Sequence, residues 1–461
     1  MLNSFAQSKK NSIPVIPLMS SNLESWLATQ NDTTKNWVRL HSFTAQAGKF
    51  ILIPAPNGTV AIVLLGIASV EDIWSYSALP LSLPNAHYQL VDSLQNISQH
   101  QACLGWALGG YQYDKYKSSE RQPATLEWPV SVNRPEVEQL AQVIFMIRDL
   151  ITTPAEDMGP AELAKTAELI AKQHQANYRC IIGDDLLKQN YPSIHMVGRA
   201  SSRQPRLIDL RWGEQGPKIT LVGKGVCFDS GGLDIKSASN MLLMKKDMGG
   251  AAHVLGLGAL IMSAQLKVRL RLLVPAVDNS ISGNAYRPLD VIRSRSGLTV
   301  EVGDTDAEGR LILSDALTEA CSEKPDLLVD FATLTGAARV ALGPDLPAFF
   351  CNHEETAQNL IHHAQQQHDP IWRLPLFTPY RKLLESKVAN IHSTGEGSYG
   401  GAITAALFLQ EFVTPKTPWI HLDLMAWNSK NSPGRPVGGE AMALRAVYAL
   451  IKQKASAALL N

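Results

Sequence analysis

Two spacings of apolar and polar positions alternate along the chain. Residues 61–66 form a continuous apolar run of the length expected for a buried strand. Residues 119–133 are polar, carry Pro123 and Pro129, and read as a linker. Residues 135–150 then place Val137, Leu140, Val143 and Ile144 on one side of a predicted helix. Further on, 219–222, 268–274, 327–331 and 419–424 read as buried strands, with helices predicted over 249–264 and 308–321. The last helix repeats Leu313, Ala316, Leu317 and Ala320 at i, i+3, i+4 and i+7. Strands alternating with helices predict an α/β layered sheet, whose ligands gather at the carboxyl ends of strands. The expected fold is α/β in two domains. A smaller N-terminal α/β domain would span 1–133, and a larger domain over 134–461 would hold a central mixed sheet flanked by helices.

Length and composition narrow the class without naming it. A chain of 461 residues is long enough for two or three domains and a sizeable core. Lys plus Arg equals Asp plus Glu, at 42 each, so charge gives no case for nucleic acid or an anionic membrane as partner. The five cysteines, Cys103, Cys180, Cys227, Cys321 and Cys351, contain no CxxC pair and read as reduced thiols. Lys9 and Lys10 are not followed by an apolar run of the signal-peptide kind, and the longest apolar stretch, near 60–70, is too short to span a bilayer. A cytoplasmic location is the expectation.

Chemistry concentrates in three segments: LVGKGVCFDSGGLDIK at 221–236, MKKDMGGAA at 244–252 and VGDTDAEGRL at 302–311. If Asp229, Asp247, Asp306 and Glu308 met in the fold, their charge would be −4, costly to bury alone. Two divalent cations would neutralise it, and oxygen ligands suit zinc, manganese or magnesium. Bridging carboxylates hold such pairs roughly 3.5–4 Å apart and activate one shared water. Taken singly, each residue has an ordinary explanation. Asp229 suits a turn, Asp306 and Glu308 suit a helix start, Lys224 suits a solvated surface, and Lys236 and Arg310 suit ordinary phosphate or carboxylate partners.

Those segments resemble the leucyl aminopeptidase family. TDAEGR at 305–310 is similar to its signature, and VGKG with FDSGG and KKDMGGAA are similar to its other metal-site segments. The resemblance runs from RDLITTPAEDMGPAEL at 148–163 through SGNAYRP at 282–288, DFATLTGA at 330–337 and YGGAITAALFLQEF at 399–412. It implies a metal-dependent aminopeptidase that releases N-terminal residues, Leu and other apolar ones preferentially, from peptides with a free N-terminus. It implies two metal ions per subunit held by Lys224, Asp229, Asp247, Asp306 and Glu308, with a bridging water as nucleophile. Lys236 and Arg310 would be catalytic. Lys236 would polarise the carbonyl, and Arg310, with Gly309 and the Leu334 backbone, would cradle a bicarbonate ion acting as general base. Met244, Asp304, Ala307 and Thr333 would form the pocket for the first side chain. A homohexamer is implied as well.

Two departures stand out. The family signature usually begins with Asn where this chain has Asp304, which either keeps a hydrogen bond or adds negative charge favouring polar or basic first residues. Met425 stands where a small residue is common and would narrow the pocket. His253 and His421 read as hydrogen-bonded structural residues, not ligands. Three other readings compete: a dinuclear phosphoesterase, a DNA-binding accessory protein and an inactive structural homologue. The lysine ligand, the zero net charge and the complete ligand set argue against them in turn.

Overall fold

The computed structural model describes residues 2–7, 11–92, 94 and 97–458, so Lys9 and Lys10 lie outside the described residues. The chain forms two compact units: 1–145 with 429–437, and 146–428 with 438–461. The residue pair 133/134, expected to separate the domains, falls where the helix Arg134–Thr152 begins.

The first unit is built on a six-stranded sheet. Its order is Phe5–Ala6, Thr125–Glu127, His87–Leu90, Ile13–Leu18, Val60–Gly66 and Phe50–Pro54. Only Phe50–Pro54 runs antiparallel to its neighbour. The run expected at 61–66 is the strand Val60–Gly66. The expected linker is a correction: its middle, Thr125–Glu127, is a sheet strand between two others. Ala124 and Leu126 are buried there, and the Trp106 indole N–H donates to the carbonyls of Ser4 and Ala124. Three residues flanked by prolines are too few for an alternation to register in sequence.

The second unit carries a nine-stranded mixed sheet. Its path is Trp372–Arg373, Ala348–Cys351, Trp419–Asp423, Leu327–Ala332, Lys218–Gly223, Arg269–Asn279, Arg206–Trp212 and Asn177–Ile182. Gly225–Asp229 pairs parallel with the far half of Arg269–Asn279. The four central strands are parallel, and reversals occur toward the edges. All four predicted central strands and both predicted helices, Gly249–Ser263 and Glu308–Cys321, are present. Gly249–Ser263 packs with Pro160–His174 and Leu444–Ala457. Glu308–Cys321 packs with Pro192–Gly198 and Gly401–Gln410 in a core that includes Leu313, Ala316, Leu317 and Ala320.

What positions the site is how closely the helix Gly249–Ser263 approaches the sheet. A Cβ on Gly250 would lie 2.0 Å from the Phe331 carbonyl oxygen, and one on Gly223 would lie 2.7 Å from Ala251 Cα. Two glycines therefore let the helix start sit directly on the ends of two strands. Among the described residues no helix is long and apolar enough to cross a membrane. All five cysteines are free.

Candidate active site

The strand ends deliver the chemistry. Lys224 follows Lys218–Gly223, and its N–H donates to the Phe331 carbonyl at 3.0 Å. Asp229 ends Gly225–Asp229, Asn279 ends Arg269–Asn279, and Thr333 and Leu334 follow Leu327–Ala332. Asp306 sits in the single turn Thr305–Ala307, which leads into the helix Glu308–Cys321. The three distant segments do meet. One oxygen each from Asp229, Asp306 and Glu308 lies within 4.8 Å of the others. Lys224 Nζ is 2.7 Å from Asp247 Oδ2 and 2.8 Å from Glu308 Oε1. Lys236 Nζ is 2.9 Å from Asp229 Oδ2 and also contacts Asp306.

Surrounding groups fix each carboxylate. Asp229 Oδ1 accepts from the Gly231 N–H and from Asn279 Nδ2, both at 2.9 Å. Asn279 Nδ2 also donates to the Thr305 carbonyl at 2.9 Å, which Tyr286 Oη reaches at 2.6 Å. Asp247 Oδ1 accepts from Thr333 Oγ1 at 2.6 Å. Asp304 is half-buried, and its Oδ1 accepts from the Asp306 N–H at 2.7 Å, capping the turn that carries Asp306. Met244 and Ala307 are half-buried and Thr333 is buried.

Electrostatically the cluster is short of positive charge. Four carboxylates face two lysines, a formal surplus of two negative charges. Burial, then Asp229, push the Glu308 carboxyl well above its usual range, and the same two causes raise Asp306 to about 7. Burial alone would lower the Lys224 amine, but Asp247, Glu308 and Asp229 more than reverse this and hold it raised. Asp247 Oδ2, Asp306 Oδ1 and Glu308 Oε1 are buried and accept no hydrogen bond of good geometry, although a lysine nitrogen lies against each. Buried carboxylate oxygens without donors, converging on one place, suit divalent cations. The residues present fit divalent metal, with the lysines here supplying part of the missing positive charge.

Arg310 lies in the first turn of its helix and is buried. Its Nη1 donates to the Ser393 carbonyl at 2.7 Å, while Nε has no partner among the described residues. Burial lowers it to about 10, partly opposed by Glu308 and Asp423. Gly309 lies directly against Lys224. The Leu334 N–H donates to Asp423 Oδ1 at 2.9 Å, so that amide is already committed within the chain.

Sequence reasoning passed over Asn279, Asp423, Tyr286 and Lys246. The first two end strands at the site, a position that could have marked them. Lys246 is fully buried with no partner for its Nζ among the described residues, and burial, then Arg339, lower it to about 7. The two suspect histidines stand apart from the carboxylates. His253 Nδ1 bonds the Gly249 carbonyl at 2.6 Å and Nε2 accepts from the Met442 N–H at 2.8 Å. His421 pairs with Asp330 at 2.6 Å.

Comparison with known proteins agrees with this architecture. Residues 145–448 match the cytosol aminopeptidase family catalytic domain, and residues 13–129 match the M17 aminopeptidase N-terminal domain. The chain is similar to the cytosol aminopeptidase of Coxiella burnetii, with a TM-score of 0.93, 50% identity and coverage of 97% of this chain and 98% of that one. It is 41% identical over 366 residues to Peptidase B of Yersinia pseudotuberculosis, covering 76% of this chain and 84% of that protein. The bottromycin maturation enzyme BotP in complex with Mn superposes with a TM-score of 0.88 at 29% identity, covering 96% of this chain and 99% of BotP. Fold and matches together define a peptidase, a hydrolytic enzyme with a two-domain α/β fold. The chain belongs to the cytosol aminopeptidase family, and its activity is that of an aminopeptidase.

Proposed function

We propose that this enzyme releases N-terminal residues, Leu and other apolar ones preferentially, from peptides with a free N-terminus, using two divalent metal ions per subunit. The observation that carries the reading is the convergence of Asp229, Asp306 and Glu308 within 4.8 Å, beside buried Asp247 and Lys224. Lys224, Asp229, Asp247, Asp306 and Glu308 would hold the ions. When bound, the ions supply Lewis acidity and a shared water acidic enough to attack near neutral pH, and bicarbonate supplies a base. Manganese is supported by the Mn complex of BotP, and zinc and magnesium suit the same donors.

The chain's own groups do the rest. Lys236, as an ammonium, donates to the carbonyl oxygen of the scissile bond and stabilises the charge that develops there. Lys224 must be a neutral amine to act as a ligand, and two nearby dications favour that form. Arg310, with a free buried Nε, holds the bicarbonate, with Gly309 and the Leu334 backbone beside it. Met244, Ala307 and Thr333 shape an apolar pocket for the first side chain, and Asp304 orders its edge by capping the Asp306 turn. A homohexamer in the cytoplasm completes the reading, supported by the family resemblance.

The test is release of leucine from a Leu-anilide by purified protein, with manganese or zinc, with a chelator, and with N-acetyl-Leu-anilide. Metal-dependent cleavage that the chelator and N-acetylation both abolish is expected. Cleavage that survives exhaustive chelation would overturn the two-metal reading.

A further inference from the structure

The chain turns a corner at 424–427, just after the strand Trp419–Asp423, and Ala426 in it comes close to Thr333 of the candidate pocket. Ala426 is buried, with φ of 54°. Its Cβ lies 2.5 Å from where a Cβ on Gly249 would stand, and Thr333 Cγ2 lies 3.1 Å from the same point. Ala426 and Thr333 therefore share one small space above the helix start. Thr333 in turn donates to Asp247. A non-glycine residue held at positive φ needs its surroundings to keep it there.

The groups that hold it take no part in the mechanism above. The Glu440 N–H donates to the Ala426 carbonyl at 3.1 Å. The Glu440 carboxylate receives Arg148 Nη2 at 3.1 and 3.2 Å, one bond to each oxygen, and Arg148 is fully buried. Glu440 Oε1 also accepts from the Ala441 N–H at 3.0 Å. From the other side, Lys245 Nζ donates to the Thr152 carbonyl at 2.5 Å and lies 5.3 Å from the centre of the Trp427 ring. Trp427 pairs with Gly439, whose N–H donates to Thr152 Oγ1 at 2.9 Å. Lys245 sits between Met244 of the pocket and Asp247 of the carboxylate cluster.

We propose that Arg148, Glu440 and Lys245 form a brace that presses the 424–427 corner against Gly249 and Thr333, and so limits the size of first side chain the enzyme accepts. The proposal rests on the pocket reading given above. None of the three belongs to the carboxylate cluster or to the proposed pocket, so they are positioning residues. In this proposal the buried Arg148–Glu440 pair serves to fix one arrangement of the corner and not to add net stability.

The test compares kcat and KM for Ala-, Leu- and Phe-anilides in three variants of the full chain. Removing one partner of a buried pair leaves an unpaired charge and endangers folding. Arg148→Met is therefore combined with Glu440→Gln, which keeps an acceptor for the Ala441 N–H. Lys245→Met, at a half-buried site, removes the second grip without a buried charge. Both should raise the Phe-to-Ala ratio of kcat/KM roughly fivefold or more, through KM, while kcat for Leu-anilide stays close to the parent. An equal loss on all three substrates, tracking the folded fraction, would reduce the brace to plain stability and overturn the proposal. If the double variant does not fold, Lys245→Met decides alone. Met244→Ala separates the two levels. If it leaves the substrate ratios unchanged, the pocket reading fails and the brace with it. If it changes them while the brace variants do not, only the brace fails.

Discussion

Gly309 is glycine because Lys224 occupies the space a side chain would need. A Cβ there would stand 2.5 Å from Lys224 Cε and 2.6 Å from Nζ. Gly309→Ala should push the amine off Asp247 and Glu308 while leaving the helix intact, since Ala is the better helix former. We expect metal affinity and kcat/KM to fall about 10–100-fold, with an unchanged circular dichroism spectrum. Isothermal titration with Mn checks the first, and Leu-anilide kinetics the second. His253 gives a different kind of prediction. Its two bonds, Nδ1 to a carbonyl and Nε2 from an N–H, define a neutral ring, and burial lowers it to about 4. An unfolded histidine titrates near 6.5. Between those values only the unfolded chain takes up the proton, so stability present above about pH 6.5 is lost as pH falls toward 4. By pH 5 the loss from this one residue is about 2 kcal/mol. Urea unfolding at pH 7 and pH 5 measures it, and His253→Gln, which keeps a donor and an acceptor, should lose less stability over that range.

At the scale of elements, the site depends on a helix set down on two strand ends. The Ala251 N–H donates to the Lys224 carbonyl at 2.8 Å, and the Lys224 N–H to Phe331, so helix and strands share one ladder of bonds. Gly250→Ala puts a Cβ 2.0 Å from a backbone oxygen that cannot swing aside. Lifting the helix start breaks those bonds and moves Asp247. Overpacking of this kind costs about 1–3 kcal/mol or more, and the melting temperature should drop by several degrees with activity lost. An alanine variant that melts and cleaves like the parent would show that the close approach is not needed.

At the scale of the molecule, the chain does not divide at a single point. The segment 429–437 is flanked by second-unit residues yet belongs to the first unit. There the Arg435 guanidinium lies 4.5 Å from the centre of the Trp74 ring, and Gly434, at φ of 67°, has no room for a Cβ beside Ser77. A 134–461 fragment would leave this segment without those partners. We expect that fragment to melt earlier than the full chain and to aggregate. Replacing 429–437 by a two-residue Asn-Gly turn between the paired residues Asn428 and Gly438 should recover solubility. Scanning calorimetry and light scattering of the two fragments test this.

The sequence by itself determined the central strands, two of the long helices of the second unit and the three segments that hold the chemistry. Those features are local: apolar runs at 219–222 and 327–331, a helical repeat from Leu313 to Ala320, and Gly-rich loops carrying Asp229, Asp247 and Asp306. The order of strands, the short strand Thr125–Glu127 and the meeting of Lys224 with Glu308 were decided only in three dimensions. So were the supports that bear no motif: Asn279 on Asp229, Asp423 on the Leu334 amide, and the Arg148–Glu440 pair, whose members are 292 residues apart. Periodicity reports how one segment faces water. It carries no record of which distant segment fills the space beside it, and that packing sets the distances on which the chemistry depends.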